Sequence, residues 1–179
     1  MRTAVYPERS RGGFTLIELL IVISIIAIIS VVGFVNFKGF SDDQVTINAV
    51  GQIQSTLRLA QSNATSSTLC NNSATTSWYL NFTSSTAFQL NCNPGGFTVK
   101  SYTLTDATVA ITGSLGCSIP YPATVSYLPG AGKQTISSSG ALASCLQSTK
   151  ITFTVSNTKN PSASPIPLNI SSGGAINVQ

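Results

Sequence analysis

The 179-residue sequence contains no histidine. Neither a Ser-His-Asp nor a Cys-His arrangement for nucleophilic catalysis is therefore available. Acidic residues are nearly as scarce: beyond residue 13 only Glu18, Asp42, Asp43 and Asp106 occur. A paired-carboxylate mechanism or an acidic calcium loop needs more carboxylates, placed closer together. The sequence has no Cys-x-x-Cys pair, and a zinc site would have to gather four widely spaced cysteines. Gly95-Gly96 and Gly130-Ala131-Gly132 lack the following Lys-Ser or Lys-Thr of a phosphate loop and read as turn glycines. No enzymatic activity, metal or cofactor is expected. Charged residues make up only 8% of the chain. That is poor material for a helical cytosolic protein, whereas the abundant Ser, Thr and Asn suit short strands and polar loops.

The chain does have a long apolar run. Leu19 to Val35 carries neither charge nor proline, and Phe14 to Phe37 contains Glu18 as its only charge. A membrane-spanning helix needs about 20 mostly apolar residues, so this segment is long enough. Arg2, Arg9 and Arg11 precede it; Lys38, Asp42 and Asp43 follow. The basic flank places the N-terminus in the cytoplasm and the C-terminal bulk outside. The net charge of +4 falls to +2 when residues 1–13 are removed, a mild balance that singles out no partner. Three readings are open at this point. A secretory signal peptide would have an apolar core of about 7–15 residues and a small-residue cut site, for which Gly39-Phe40-Ser41 could pass. A plain membrane anchor explains the length and leaves Glu18 without a role. The third reading comes from the residues around Gly13.

The run Arg11-Gly12-Gly13-Phe14-Thr15-Leu16-Ile17-Glu18-Leu19-Leu20 resembles the processing site of type IV pilins and type II secretion pseudopilins. The resemblance implies that a prepilin peptidase cuts between Gly13 and Phe14 on the cytoplasmic side and N-methylates Phe14. It places the family's glutamate on Glu18 as an assembly residue. Glycine before the cut leaves the backbone open to a protease cleft. For Glu18 the bland alternative is a carboxylate that snorkels toward the headgroups. Many family members carry a proline where this chain has Val35, so a kink at that place is not implied. The partners implied are the peptidase, other pilin or pseudopilin subunits, an inner-membrane assembly platform and the membrane itself.

Beyond the apolar run, Ile47, Val50, Ile53, Leu57, Ala60 and Ala64 form a stripe at helical spacing. The helical pattern continues past Val35, giving one helix from Phe14 to about Ser66; the alternative is a capping box at Ser41 and Gln44 that starts a separate helix. Residues 62–77 read as a loop. Alternating apolar residues then mark strands at Trp78, Leu80 and Phe82; Phe88, Leu90 and Cys92; Val125 and Tyr127; Ile151, Phe153 and Val155; Leu168 and Ile170; and Ile176 and Val178. Asn93 to Gly96, Pro129 to Gly132 and Ser171 to Gly174 are turn signals, and Asn157 to Pro167 is a proline-bearing loop. The expected fold class is α+β: a long N-terminal helix, transmembrane in its first half, packed against a C-terminal antiparallel β-rich head. The expected divisions are a leader at 1–13, a membrane and filament-core helix at 14–37, an amphipathic helix at 38–66 and the head at 67–179. An even cysteine count in an exported domain reads as disulfides. Of the three possible pairings, Cys70–Cys92 and Cys117–Cys145 join near neighbours.

The order of helix, Trp-bearing first strand and closing segment Ile170 to Val178 also resembles H-type minor pseudopilins. The implied function is structural: a subunit of a type IV pilus or type II secretion pseudopilus, inserted in the inner membrane and then drawn into a filament. The alternatives are a minor pilin for DNA uptake or adhesion, and a simple anchored surface domain. Lys100, Lys133, Lys150 and Lys159 are scattered and accompanied by no arginine in the head. Tyr79, Tyr102, Tyr121 and Tyr127 are more in keeping with strand packing than with base stacking, so DNA is disfavoured as a partner.

Overall fold

The computed structural model describes residues 13–113, 116–130, 134–138 and 150–179, without the side chains of 31–40 and 42. Residues 1–12 of the expected leader, Cys145, Lys133 and the second half of the Pro129 to Gly132 turn lie outside the described residues. Two compact units divide the chain, one ending at Phe40 and one running from Ser41 to Gln179.

A single helix, α1 (Leu16–Thr65), runs through both. It continues through Gly33 and Gly39 and through Ser41, so of the two readings the continuous helix forms and no separate one starts at Ser41. Gly33 and Gly39 each cost a helix about 1 kcal/mol relative to Ala, too little to break one this long. At its C-terminal end, Ser67 takes the left-handed conformation (φ 51°). The Thr68 N–H then reaches the Asn63 carbonyl at 3.0 Å and the Ser67 N–H reaches Ala64 at 3.2 Å. This is a Schellman stop with serine in the position glycine usually holds.

In the second unit the helix lies against two antiparallel sheets, confirming the α+β class. The strands are β1 (Ser77–Phe82), β2 (Ala87–Asn93), β3 (Phe97–Thr103), β4 (Ala107–Gly113), β5 (Ala123–Tyr127), β6 (Gln134–Ser138), β7 (Lys150–Asn157), β8 (Ile166–Ser171) and β9 (Ile176–Val178). One sheet has the order β3-β2-β1-β5-β6, the other β4-β7-β8-β9. Both sheets and the helix share one core. Val50, Ile53, Leu57, Ala60 and Ala64 of α1 are buried in it. Phe82 of β1 packs on Phe153 of β7 with ring centroids 5.1 Å apart, joining the sheets. The Gln61 amide donates to the Gly174 carbonyl at 3.2 Å, fastening the helix to the β8–β9 turn.

The helical stripe holds except at its first member. Ile47 is 49% exposed, while Thr46 and Ala49 are buried. The buried face therefore begins on the Thr46 side, and Ile47 borders a shallow cavity with Asp43, Ser164 and Ile166. All the expected strands form, and β3, β4 and β6 are additional. The proline-bearing loop is shorter than expected, since β8 starts at Ile166 and takes in Pro167, paired with Thr154. In β9, Ile176 is buried and Val178 is 44% exposed.

Candidate processing and assembly site at the N-terminus

The first described residues sit at the start of α1. Gly13 has open space around it: a Cβ placed there would meet no atom within 4 Å. Its backbone is also not among the positive-φ positions. Nothing in this fold therefore requires glycine at position 13. Phe14 follows, 81% exposed.

Thr15 starts the helix. Its side-chain oxygen accepts a hydrogen bond from the Glu18 N–H at 3.3 Å, and its carbonyl accepts from Glu18 at 3.1 Å and Leu19 at 3.2 Å. Thr15 is thus the N-cap, and Glu18 occupies the third helical position, as in a Thr-x-x-Glu capping box. A carboxylate in the first turn also complements the partial positive charge of the helix N-terminus. Sequence reading had missed this role for Thr15. The signal was present as threonine three residues before glutamate, but those letters were absorbed into the processing motif.

From here to Ser30 the helix has no covered face among the described residues. Every Leu, Ile and Val from Leu16 to Ile29 is exposed. Consecutive apolar residues from Leu19 to Ile23 point to all sides, which is the pattern of a helix meant to be surrounded by apolar material. The polar side chains in the run are satisfied internally. The Ser24 hydroxyl donates to the Leu20 carbonyl and the Ser30 hydroxyl to the Ile26 carbonyl, both at 2.7 Å. Such pairing suits a medium without water to bond them. Among the described residues, no helix is long and apolar enough to cross a membrane. The described side chains of this segment stop at Ser30, whereas the apolar sequence continues to Phe37.

The expected disulfide between Cys70 and Cys92 is present, with an S–S distance of 2.02 Å. It joins the loop after α1 to β2, and the Trp78 indole N–H adds a 3.2 Å bond to the Thr68 carbonyl of the same loop. Cys117 is also disulfide-bonded; Cys145, expected as its partner, lies outside the described residues.

Elsewhere in the head, no catalytic constellation is found among the described residues. Asp106, its sole acid, pairs with Lys159 at 2.7 Å on the surface. Among the described residues no group of three or more His, Cys, Asp or Glu side chains converges. The tyrosines serve packing. Tyr127 is fully buried, Tyr102 stacks on Phe88 at 4.8 Å, and the Tyr121 hydroxyl donates to the Val109 carbonyl. Burial raises the pKa of both Tyr121 and Tyr127.

Comparison with curated proteins and with solved structures found no match. Comparison with protein families did: residues 9–34, the stretch that contains Gly13, Phe14, the Thr15 cap, Glu18 and the apolar helix start, match the family described as the prokaryotic N-terminal methylation motif.

Proposed function

We propose that the chain is a structural subunit of a type IV pilus or type II secretion pseudopilus. It is made as a prepilin, cut after Gly13, N-methylated at Phe14 and assembled through its N-terminal helix. The observation that carries this reading is the methylation motif at residues 9–34 placed on the capped start of an apolar helix whose described side chains are exposed. Fully burying a Leu or Ile side chain is worth about 1.5–3 kcal/mol, so this surface strongly favours lipid before assembly and neighbouring helices after it. The partners are a prepilin peptidase, an inner-membrane assembly platform and further subunits. The head stands on the extracytoplasmic side. The resemblance of the Trp-bearing first strand and of the closing segment Ile170 to Val178 supports a subunit of the H-type minor pseudopilin kind.

Glu18 is the assembly residue in this reading. A carboxylate in the bilayer centre costs about 2.5–3.5 kcal/mol, less near a helix end. The cut at Gly13 creates a cation at the Phe14 amine, and Glu18 of a neighbouring subunit can pair with it in an apolar filament core. Two substitutions separate this pairing from the capping role. Glu18→Gln keeps a residue suited to the capping box and loses the charge; Glu18→Ala loses both. Both variants are expected to be inserted and cut, yet depleted from sheared filaments relative to membranes. Normal incorporation of Glu18→Gln would reduce Glu18 to a helix-start residue and remove the charge pair from the account.

A further inference from the structure

The sequence contains four Asn-x-Ser/Thr tripeptides in which x is not proline, at Asn63, Asn71, Asn81 and Asn169. Such a tripeptide is an acceptor for N-linked glycan transfer when it lies on the surface of an exported protein. The fold closes three of the four. Asn63 sits in α1, where the next residue, Ala64, is fully buried, and the Thr65 hydroxyl is engaged by the Gln61 and Ser62 carbonyls at 3.0 and 2.9 Å. Asn81 lies in β1, paired on both sides by β2 and β5, and its side-chain oxygen accepts from Thr124. Asn169 is buried in β8 between β7 and β9, and its side-chain oxygen accepts from the Thr152 hydroxyl at 2.8 Å.

Asn71 differs in every respect. Asn71, Asn72 and Ser73 are all exposed. The Cys70 N–H donates to the Ser73 carbonyl and the Ser73 N–H to the Cys70 carbonyl, each at 2.9 Å. Asn71 and Asn72 have φ of 47° and 63°. This is a two-residue hairpin turn with both central residues left-handed, a conformation that asparagine tolerates. Cys70, at its base, is tied to β2 by the disulfide. The turn therefore projects the Asn71 carboxamide and the Ser73 hydroxyl from a fixed base. Among the described residues neither side chain makes a hydrogen bond, so both are open to an enzyme.

We infer that Asn71 is an N-glycosylation site, modified on the extracytoplasmic side by an oligosaccharide transferase that uses a lipid-diphosphate-linked sugar. The Asn71 Nδ2 attacks the anomeric carbon. The carbon–oxygen bond to phosphate breaks, the lipid diphosphate leaves with the electron pair, and one amide proton passes to the transferase. The Ser73 hydroxyl is the recognition element two residues on. This rests on the reading that the head is exported.

The test is mass spectrometry of the full-length protein purified from its own cells, intact and after proteolysis with fragmentation that preserves glycans. The expected result is a saccharide increment on Asn71. Asn71→Gln and Ser73→Ala should each abolish the increment, whereas Ser73→Thr and Asn63→Gln should keep it. An unmodified Asn71, or an increment that persists in Asn71→Gln, overturns the inference. The same intact mass reports whether residues 1–13 have been removed. A bare Asn71 on a cut chain refutes the glycosylation alone; a bare Asn71 on an uncut chain counts against the filament reading as well.

Discussion

Leu57 and Leu59 lie two positions apart on α1 and have opposite fates: Leu57 is fully buried in the core and Leu59 is 45% exposed. If the second half of α1 is held by apolar burial against the two sheets, the same substitution must act very differently at the two places. Leu57→Ala removes three carbon groups, each worth about 0.8 kcal/mol on transfer, or about 2.4 kcal/mol together. The space left between α1 and the sheets adds to this, and buried Leu→Ala changes generally fall at about 2.7–5 kcal/mol. We take about 3 kcal/mol. For a unit running from Ser41 to Gln179, that corresponds to a fall in Tm of roughly 10 °C. Leu59→Ala should shift Tm by no more than about 2 °C, since exposed substitutions mostly stay within about 0.5 kcal/mol. Thermal unfolding of detergent-purified protein, followed by circular dichroism, provides the comparison. Equal, small shifts for both variants would refute the packing of α1 on the sheets through this face.

Three further outcomes are expected. Cys92→Ser opens a disulfide whose cysteines are 22 residues apart in sequence and should cost about 3 kcal/mol in denaturant unfolding, with no effect on removal of residues 1–13; unchanged stability would show that the loop after α1 is held without the bridge. Tyr127 is buried and its hydroxyl has no partner among the described residues, so Tyr127→Phe should leave stability at pH 7 unchanged or raised, and a loss above about 1 kcal/mol would contradict this. Burial raises the Tyr127 pKa above its usual 10.0, so above about pH 10 the unfolded chain releases a proton that the folded chain keeps. Stability then falls as pH rises, and Tyr127→Phe should flatten that fall in an unfolding series from pH 8 to 11.

The parts of the fold that were legible in the sequence are those where one face is buried and the other is not. Trp78, Leu80 and Phe82 in β1, and Ile151, Phe153 and Val155 in β7, alternate because each strand has a core face, and burial alternates with them. The three missed strands lack that contrast. Strand β3 has no buried residue on either side, so its Phe97, Val99 and Tyr102 follow no single face. Strand β6 carries one apolar residue, Ile136. In β4 the small Ala107 and Ala110 blur a pattern that burial does show at Val109 and Ile111. Whether a second helix starts at Ser41 stayed open in the sequence, because a serine with glutamine three residues on can cap a helix as readily as sit within one. At the N-terminus the motif letters were legible at once, while the capping role of Thr15 became clear only from its bond to the Glu18 N–H. The apolar run from Leu16 to Ile29 was legible as hydropathy; that all of its side chains are exposed among the described residues required the fold.

Processing at Gly13 and modification of Phe14 are the events that would make this chain a filament subunit. The most direct test is N-terminal sequencing combined with intact mass of the protein taken from membranes and from sheared filaments. The expected result is a processed subunit that begins at Phe14, carries one extra methyl group on its amine and lacks residues 1–13 in both fractions. A chain that begins at Asp42, or one that retains Met1, would contradict it.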